Sequence, residues 1–206
     1  MHEKSLTQNT KHVLESLDKA GLIKDFYLAG GTALALYYGH RFSVDLDWFA
    51  GKFSYTSFFR EKLSKLGKLA VDSEGDKTFN GALDGVKISF FEYPYPLISP
   101  KTHYKGEIYL AGCPDIAVMK LEAVARRGTY KDFVDLYFLL KEYELGQILS
   151  FLKEKFAGIE YNETHLLKSI TYFEDAEKSE FPEMIEAVSW NEIKKALVSA
   201  VEQYIK

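Results

Sequence analysis

The chain has 206 residues, and its 26 Lys and Arg against 30 Asp and Glu give a formal net charge of −4. A content of 47% hydrophobic and 27% charged residues is ordinary for a globular protein and excludes a disordered or fibrous chain. The single cysteine, Cys113, excludes a disulfide framework and a cysteine-built zinc site, and it favours a reducing cytoplasm. No apolar run approaches the roughly 18 residues that a membrane span needs. The negative net charge also makes it unfavourable for the protein to bind nucleic acid through its overall charge alone.

The chain opens with elements of both kinds. A helix with apolar residues on one stripe is predicted first, and it ends at Gly21. A short apolar run at 26–29 predicts a strand, and good helix formers follow it up to Gly39. Residues 43–49 alternate polar and apolar side chains, which predicts a strand with one solvated face.

The next part of the chain is rich in short strands. The elements predicted there are a helix at 54–66 and three strands at 78–83, 86–93 and 107–110. Asp84-Gly85 between the first two strands is the strongest short hairpin signal that a sequence offers. The segment 93–105 holds three of the five prolines and predicts a loop.

A helical pattern replaces the strands after Pro114. It runs from residue 115 to the end, with breaks at 128–129, 144–146, 158 and around 182. We therefore predict an α/β half at 1–112, followed by a helical region at 113–206 that packs on it and completes a cleft.

One stretch combines a glycine turn with two acidic residues. Gly30-Gly31-Thr32 lies between a strand and a helix, where backbone amides can face an anion and glycine lets a phosphate approach closely. Fourteen residues after Gly31, Asp45 and Asp47 lie two apart on a predicted strand, so both carboxylates share a face. Two hard oxygen ligands beside a phosphate-binding turn are what Mg²⁺ bound to a nucleoside triphosphate requires.

Two further polar residues, Arg41 and Ser43, precede the acidic pair closely enough to contact phosphate oxygens. Each feature alone is more often structural, because a Gly-Gly-Thr sequence is usually a turn and an Asp-x-Asp strand usually a solvated face. Their order and spacing together favour a nucleotide site.

This stretch resembles the first motif of nucleotidyltransferases with the polymerase-β-like fold, and in detail that of the AbiEii/AbiGii-type toxin nucleotidyltransferases. The residues that carry the resemblance are Gly30-Gly31-Thr32-Ala33-Leu34, Gly39-His40-Arg41, Ser43, Asp45 and Asp47. A second block, at 114–127 and 131–140, is also similar, and the resemblance covers about 25–140. It implies an α+β fold, in which a mixed β-sheet with flanking helices is followed by a C-terminal helical region.

The second block has a physical interpretation of its own. Pro114 suits the first turn of a helix, Thr129 is a good N-cap for the next helix, and Asp132 lies where that helix dipole favours an anion. Taken alone, Lys120 is a surface residue, and Asp132 and Asp135 complement the dipole. The resemblance instead implies that Lys120 contacts the triphosphate and that Asp132 is a polar active-site residue. It leaves Asp135 open between the site and structural support.

A third metal-binding carboxylate, which many members of the superfamily carry on a later strand, has no obvious counterpart. Ser89 stands at the expected position. Glu92 is the nearest acid, but three residues along an ideal strand place it on the opposite face. Either a bulge turns Glu92 towards the site, or Asp45 and Asp47 alone hold the metal.

The resemblance implies a magnesium-dependent nucleotidyltransferase, with Mn²⁺ as a possible substitute, that moves a nucleoside monophosphate from a nucleoside triphosphate to a hydroxyl. The implied catalytic residues are Asp45, Asp47, Lys120 and Asp132. The implied nucleotide-binding residues are Gly30, Gly31, Thr32, Arg41, Ser43 and Lys120. Asp45 and Asp47 are the implied metal ligands.

The acceptor implied by the resemblance is RNA, in particular tRNA, and the implied partner is an antitoxin protein. Basic residues near the proposed site fit RNA phosphates, or equally a solvated turn between helices: Lys120, Arg126, Arg127 and Lys131. The alternatives are transfer to a protein hydroxyl and a catalytically silent module with this fold.

Overall fold

The computed structural model describes residues 1–206 and contains a single seven-stranded sheet. The strands β1 to β7 are Tyr27–Ala29, Leu46–Ala50, Leu69–Gly75, Thr78–Leu83, Val86–Glu92, Thr102–Lys105 and Ile108–Leu110. The helices α1 to α8 are Gln8–Lys19, Gly30–Tyr38, Ser57–Ser64, Cys113–Arg126, Tyr130–Leu139, Leu145–Lys155, Glu163–Ile170 and Trp190–Tyr204. Two short 3₁₀ turns lie at Glu3–Ser5 and Ala176–Lys178.

The sheet is mixed, in the order β3-β4-β5-β2-β1-β7-β6. Strand β2 lies near its middle, antiparallel to β1 and parallel to β5. This register places Asp47 between Ala29 of β1 and Ser89 of β5. The acidic end of β2 is therefore next to the turn that joins β1 to α2.

The two faces of β2 differ as the alternating pattern predicts. Leu46 and Trp48 are fully buried, whereas Asp47 and Phe49 on the other face are half-buried. The strand begins at Leu46, so Asp45 immediately precedes it rather than lying within it. The prediction of a strand with one wetter face is confirmed, with the start three residues later than predicted.

The sequence analysis did not predict two of the strands, and both lie at the edges of the sheet. β3 lies at one edge and is mostly exposed, and β6 lies at the other edge, inside the segment 93–105 that was predicted as a loop. The loop prediction is therefore wrong for Thr102–Lys105. A mostly exposed edge strand does not require alternating apolar and polar residues. The hydrophobic pattern of the sequence therefore gives little indication of it.

The second half is helical over most of its length, as predicted, except for residues 171–189, which contain only the 3₁₀ turn. There the backbone pairs with the segment before β2: Phe42 N donates to Glu183 O at 2.9 Å, and Ile185 N donates to His40 O at 2.9 Å. These bonds replace helical ones for part of the segment and hold it against the acidic end of β2.

The hydrophobic core is one cluster of 46 buried residues that extends from Leu6 to Leu197 and crosses residue 112. No helix is both long and apolar enough to cross a membrane. The architecture is α+β, a mixed sheet with flanking helices, as the sequence predicted. The division into parts at 112 stays a prediction.

Candidate active site

The turn between β1 and α2 favours glycine at two consecutive positions. Gly30 has a φ of +66°, and a Cβ on it would lie 3.0 Å from Asp47 Oδ2. A Cβ on Gly31 would lie 2.3 Å from Arg41 Nη2, which is a clash. The two glycines therefore bring the N-terminus of α2 against both an acidic and a basic side chain.

Asp45 and Asp47 form the acidic pair of the site. Burial raises the pKa of Asp47, and the negative charge of Asp45 raises it further, while Lys120 and the Ser89 hydroxyl act in the opposite direction. Asp45 Oδ2 lies 3.3 Å from Lys131 Nζ. Two neighbouring carboxylates that repel each other form a hard-oxygen donor set that suits Mg²⁺ or Mn²⁺.

Glu92 does not join this pair. Ser89 lies directly opposite Asp47 in the parallel register, whereas Glu92 lies level with Ala50, farther along the sheet. The Glu92 carboxylate accepts hydrogen bonds from Lys77 Nζ and from the backbone N–H of Phe53. The structure contains no group of three or more acidic, histidine or cysteine side chains that could hold a metal ion. Glu92 therefore lies apart from the acidic pair, and the assignment of the metal ligands stays a prediction.

Thr32 and Ser43 connect α2 to the segment before β2. Their hydroxyls lie 2.8 Å apart, and the Thr32 hydroxyl also donates to the backbone carbonyl of Asp45. Ser43 N donates to Ser5 O at 2.9 Å. Both side chains are buried, so they fix the position of Asp45 relative to the glycine turn.

Arg41 is buried and bound to Asp135. Its Nε lies 2.7 Å from Asp135 Oδ1, and its Nη2 lies 2.8 Å from Asp135 Oδ2. His40 Nε2 and Lys120 Nζ complete the contacts of this carboxylate at 2.8 and 2.7 Å. Burial alone would raise the pKa of Asp135, but the charges of Arg41 and Lys120 hold it well below its usual value. Asp135, whose role the sequence left open, is thus the centre of a buried charge network.

Asp132 forms a second, adjoining network. Its carboxylate accepts hydrogen bonds from the Thr129 hydroxyl at 2.7 Å, and from Arg127 Nε and Nη2 at 2.8 and 2.9 Å. Lys120 Nζ lies 3.3 Å away. Burial opposes ionisation, but Arg127, Lys120 and Thr129 together lower the pKa of Asp132 from 3.8 to about 2. The predicted N-cap at Thr129 is confirmed, as part of a capping box with Asp132.

Lys120 joins the two networks, because its ammonium group contacts both Asp132 and Asp135. Its side chain is only 5% exposed. The structure thus places most predicted site residues together: the glycine turn, Thr32, Ser43, Asp45 and Asp47 form one group, and Arg41, Lys120 and Asp132 form the adjoining one.

The sequence analysis missed the pairing of Arg41 with Asp135, which lie 94 positions apart. It assigned Arg41 to phosphate contact, but the guanidinium lies beneath the glycine turn, with Nη2 against Gly31. The contact between Lys131 and Asp45 was missed as well. The only signals were the position of Lys131 beside Asp132 and its place in a short basic segment.

Comparison with known proteins identifies the family of the chain. The chain matches the family model described as nucleotidyl transferase AbiEii toxin, type IV TA system, over residues 12–104 and 85–204. A relative in Aquifex aeolicus (strain VF5), named uncharacterized protein aq_aa25, is 38% identical over 208 residues, which cover 98% of this chain and 99% of the relative.

Two solved structures share the fold. A crystal structure of an H. pylori protein described as a nucleotidyltransferase has a TM-score of 0.57 at 19% identity, over 95% of this chain and 92% of that one. MenT4, nucleotidyltransferase toxin Rv2826c from Mycobacterium tuberculosis H37Rv, has a TM-score of 0.56 at 12% identity, over 95% and 84%. These likenesses confirm the nucleotidyltransferase fold expected from the first motif. The chain is a nucleotidyltransferase and belongs to the AbiEii toxin family of type IV toxin–antitoxin systems.

Proposed function

We propose that this protein transfers a nucleoside monophosphate from a nucleoside triphosphate to a hydroxyl of RNA, with tRNA as the main acceptor, in a reaction that depends on Mg²⁺. The observation that carries the proposal is the position of Asp45 and Asp47 against the glycine turn at the N-terminus of α2. A metal ion held by these carboxylates would neutralise charge on the triphosphate and on the departing pyrophosphate. Mn²⁺ fits the same donor set.

The glycine turn supplies the phosphate site in this proposal. The first backbone N–H groups of α2, at Gly30, Gly31 and Thr32, have no helical partners of their own and face an anion favourably. The Ser43 hydroxyl lies beside them, next to Thr32. Arg41 supports the turn from beneath, because its Nη2 packs against Gly31 while Asp135 holds the guanidinium in place.

Lys120 supplies a positive charge beside the reacting phosphate. Its ammonium group is held from one side by Asp132 and from the other by Asp135, so its orientation is fixed before the nucleotide binds. Preorganisation of this kind avoids reorientation of a flexible lysine during the reaction. Lys120 and Asp132 act here as one unit, in which Asp132 orients the lysine.

The chemical step forms one bond and breaks another. The acceptor oxygen attacks the α-phosphorus, the bond between the α-phosphorus and the pyrophosphate oxygen breaks, and pyrophosphate leaves with its negative charge. The proton of the acceptor hydroxyl passes to one of the two carboxylates, Asp45 or Asp47. Membership of a toxin–antitoxin family further supports a protein antitoxin as partner and a cytoplasmic site of action.

The proposal is tested by incubating the protein with each labelled nucleoside triphosphate, Mg²⁺ and total RNA. The wild type is expected to label tRNA, and the Asp45→Asn/Asp47→Asn variant is expected to lose the activity. Asp25→Asn/Asp72→Asn is the matched control, because it removes two exposed carboxylates outside the site. Wild-type transfer by the Asp45→Asn/Asp47→Asn variant would contradict the catalytic proposal, and label on protein without label on RNA would contradict the acceptor.

A further inference from the structure

A cavity of about 550 Å³ lies where the C-terminal end of α4 meets α7 and the segment after α7. Most of the residues that line it are polar, and four basic side chains contribute to it. These are Arg126, Arg127, His165 and Lys168. A polar cavity with several cationic groups suits an anionic ligand better than an apolar one.

Several of the basic side chains at the cavity lack an ion-pair partner. Asp175, the one acidic residue of the lining, is paired with Lys178 at 2.8 Å, whereas Arg126, His165 and Lys168 form no ion pair. The chain as a whole carries a net charge of −4, so unpaired basic groups from two separate helices are concentrated here against the overall trend. This concentration predicts an anionic ligand that the chain itself does not supply.

Arg127 connects the cavity to the charge network of the candidate site. Arg127 lines the cavity, is 56% exposed, and donates hydrogen bonds to Asp132. Lys131, 44% exposed, reaches Asp45 at 3.3 Å. Basic side chains therefore lie both at the carboxylate pair and at the cavity. We call this set the basic track: Arg126, Arg127, Lys131, His165 and Lys168.

We propose that the basic track binds the phosphate backbone of the RNA acceptor strand and leads its terminal hydroxyl to Asp45 and Asp47. This inference rests on the proposed function, since it takes RNA as the acceptor. The triphosphate of the donor nucleotide is assigned to the glycine turn and Lys120, so the track is left for the second substrate. A strand of phosphodiesters matches a row of separate cations better than one compact anion does.

Contacts to phosphate fix the position of a strand but do not read its sequence. The track therefore predicts binding that is sensitive to salt and tolerant of sequence. Tyr172, half exposed at the cavity, offers a ring on which one base can stack.

The test compares two variants with the same change in charge. Arg126→Glu/Lys168→Glu reverses two charges in the cavity, and Lys19→Glu/Lys24→Glu reverses two exposed charges at and just beyond the end of α1. Binding of a fluorescein-labelled single-stranded RNA oligonucleotide is measured by anisotropy at several KCl concentrations. The cavity variant is expected to bind the RNA at least about tenfold more weakly. A plot of the logarithm of its binding constant against the logarithm of the KCl concentration should be shallower by about 1.4, which is about 0.7 for each of the two lost phosphate contacts. The α1 variant should stay within about twofold of the wild type.

Binding of a nucleoside triphosphate with Mg²⁺ to the same variants separates this inference from the proposed function. Nucleotide affinity is expected to be unchanged in the cavity variant, with an unchanged Tm as evidence of folding. Equal RNA affinity in the cavity variant and the wild type would overturn the track and leave the nucleotidyl transfer proposal intact. Loss of nucleotide binding without loss of RNA binding would assign the cavity to the donor and also overturn it. A wild type that binds nucleotide but no RNA would overturn the track together with the RNA acceptor.

Discussion

Arg41 and Asp135 form a two-bond ion pair with N–O distances of 2.7 and 2.8 Å, in which neither side chain is more than 4% exposed. The pair joins the glycine-turn motif to helix α5, so it connects the two blocks of sequence that build the site. Because Lys120 shares the same carboxylate, one buried aspartate aligns the lysine with Arg41, which packs against the glycine turn.

Replacement of Asp135 by Asn should be strongly destabilising. The variant keeps the shape of the side chain but leaves the charge of Arg41 buried without a carboxylate partner and Lys120 with Asp132 alone, which costs about 3 kcal/mol or more. Urea unfolding of the wild type and the variant measures the change in the free energy of unfolding. Asp175→Asn, which breaks an exposed pair with Lys178, serves as the control and should change stability little. Equal effects of the two substitutions would contradict the importance of the buried network.

The pKa of Asp132 predicts a pH dependence of stability. Its folded-state pKa of about 2 lies below the usual 3.8, so the stabilisation is present above pH 4 and is lost as the pH falls from about 4 to about 2. The shift corresponds to about 2 kcal/mol. Urea unfolding between pH 2 and pH 6 should therefore show that Asp132→Asn is less stable than the wild type at pH 6. The difference should shrink towards pH 2, and a constant difference across this range would contradict the assigned pKa.

Gly30→Ala should inactivate the enzyme through a local clash. The residue has a φ of +66°, and the new Cβ would lie 3.0 Å from Asp47 Oδ2, so the carboxylate must move. Gly21→Ala is a closely matched control, because Gly21 has a φ of +67° but nothing within 4 Å of the added Cβ. Both variants should lose about 1 kcal/mol of stability from backbone strain, while nucleotidyl transfer should fall sharply only in Gly30→Ala. Equal activity of the two variants would show that the close approach of the turn to Asp47 does not matter.

The glycine turn and the acidic pair were predictable because both depend on short spacings along the chain. Strand β2 and hairpin β4–β5 were predictable for the same reason: alternation and Asp84-Gly85 are local signals. Residue types and local spacing contain no information on the partner of Arg41, since Asp135 lies 94 positions away. The edge strands β3 and β6 and the irregular segment 171–189 depend on neighbouring backbone rather than on their own apolar pattern.

The positions of His165 and Lys168 at the proposed RNA surface could not be predicted from local sequence either. The sequence indicated the basic cluster around Arg126, Arg127 and Lys131, where the residues are neighbours in the chain. Only the packing of α7 against α4 brings His165 and Lys168 to the same cavity. A charge cluster that is ambiguous in sequence thus becomes a specific candidate surface in the fold.

The central claim is that Asp45 and Asp47 bind a metal–nucleotide complex at the glycine turn. Calorimetric titration of each nucleoside triphosphate, with and without Mg²⁺, tests it most directly in the wild type and in Asp45→Asn/Asp47→Asn. The account predicts that at least one nucleotide binds the wild type only when Mg²⁺ is present, and that the variant loses this binding. Nucleotide affinity that is the same with and without Mg²⁺, or the same in the wild type and the variant, would contradict it.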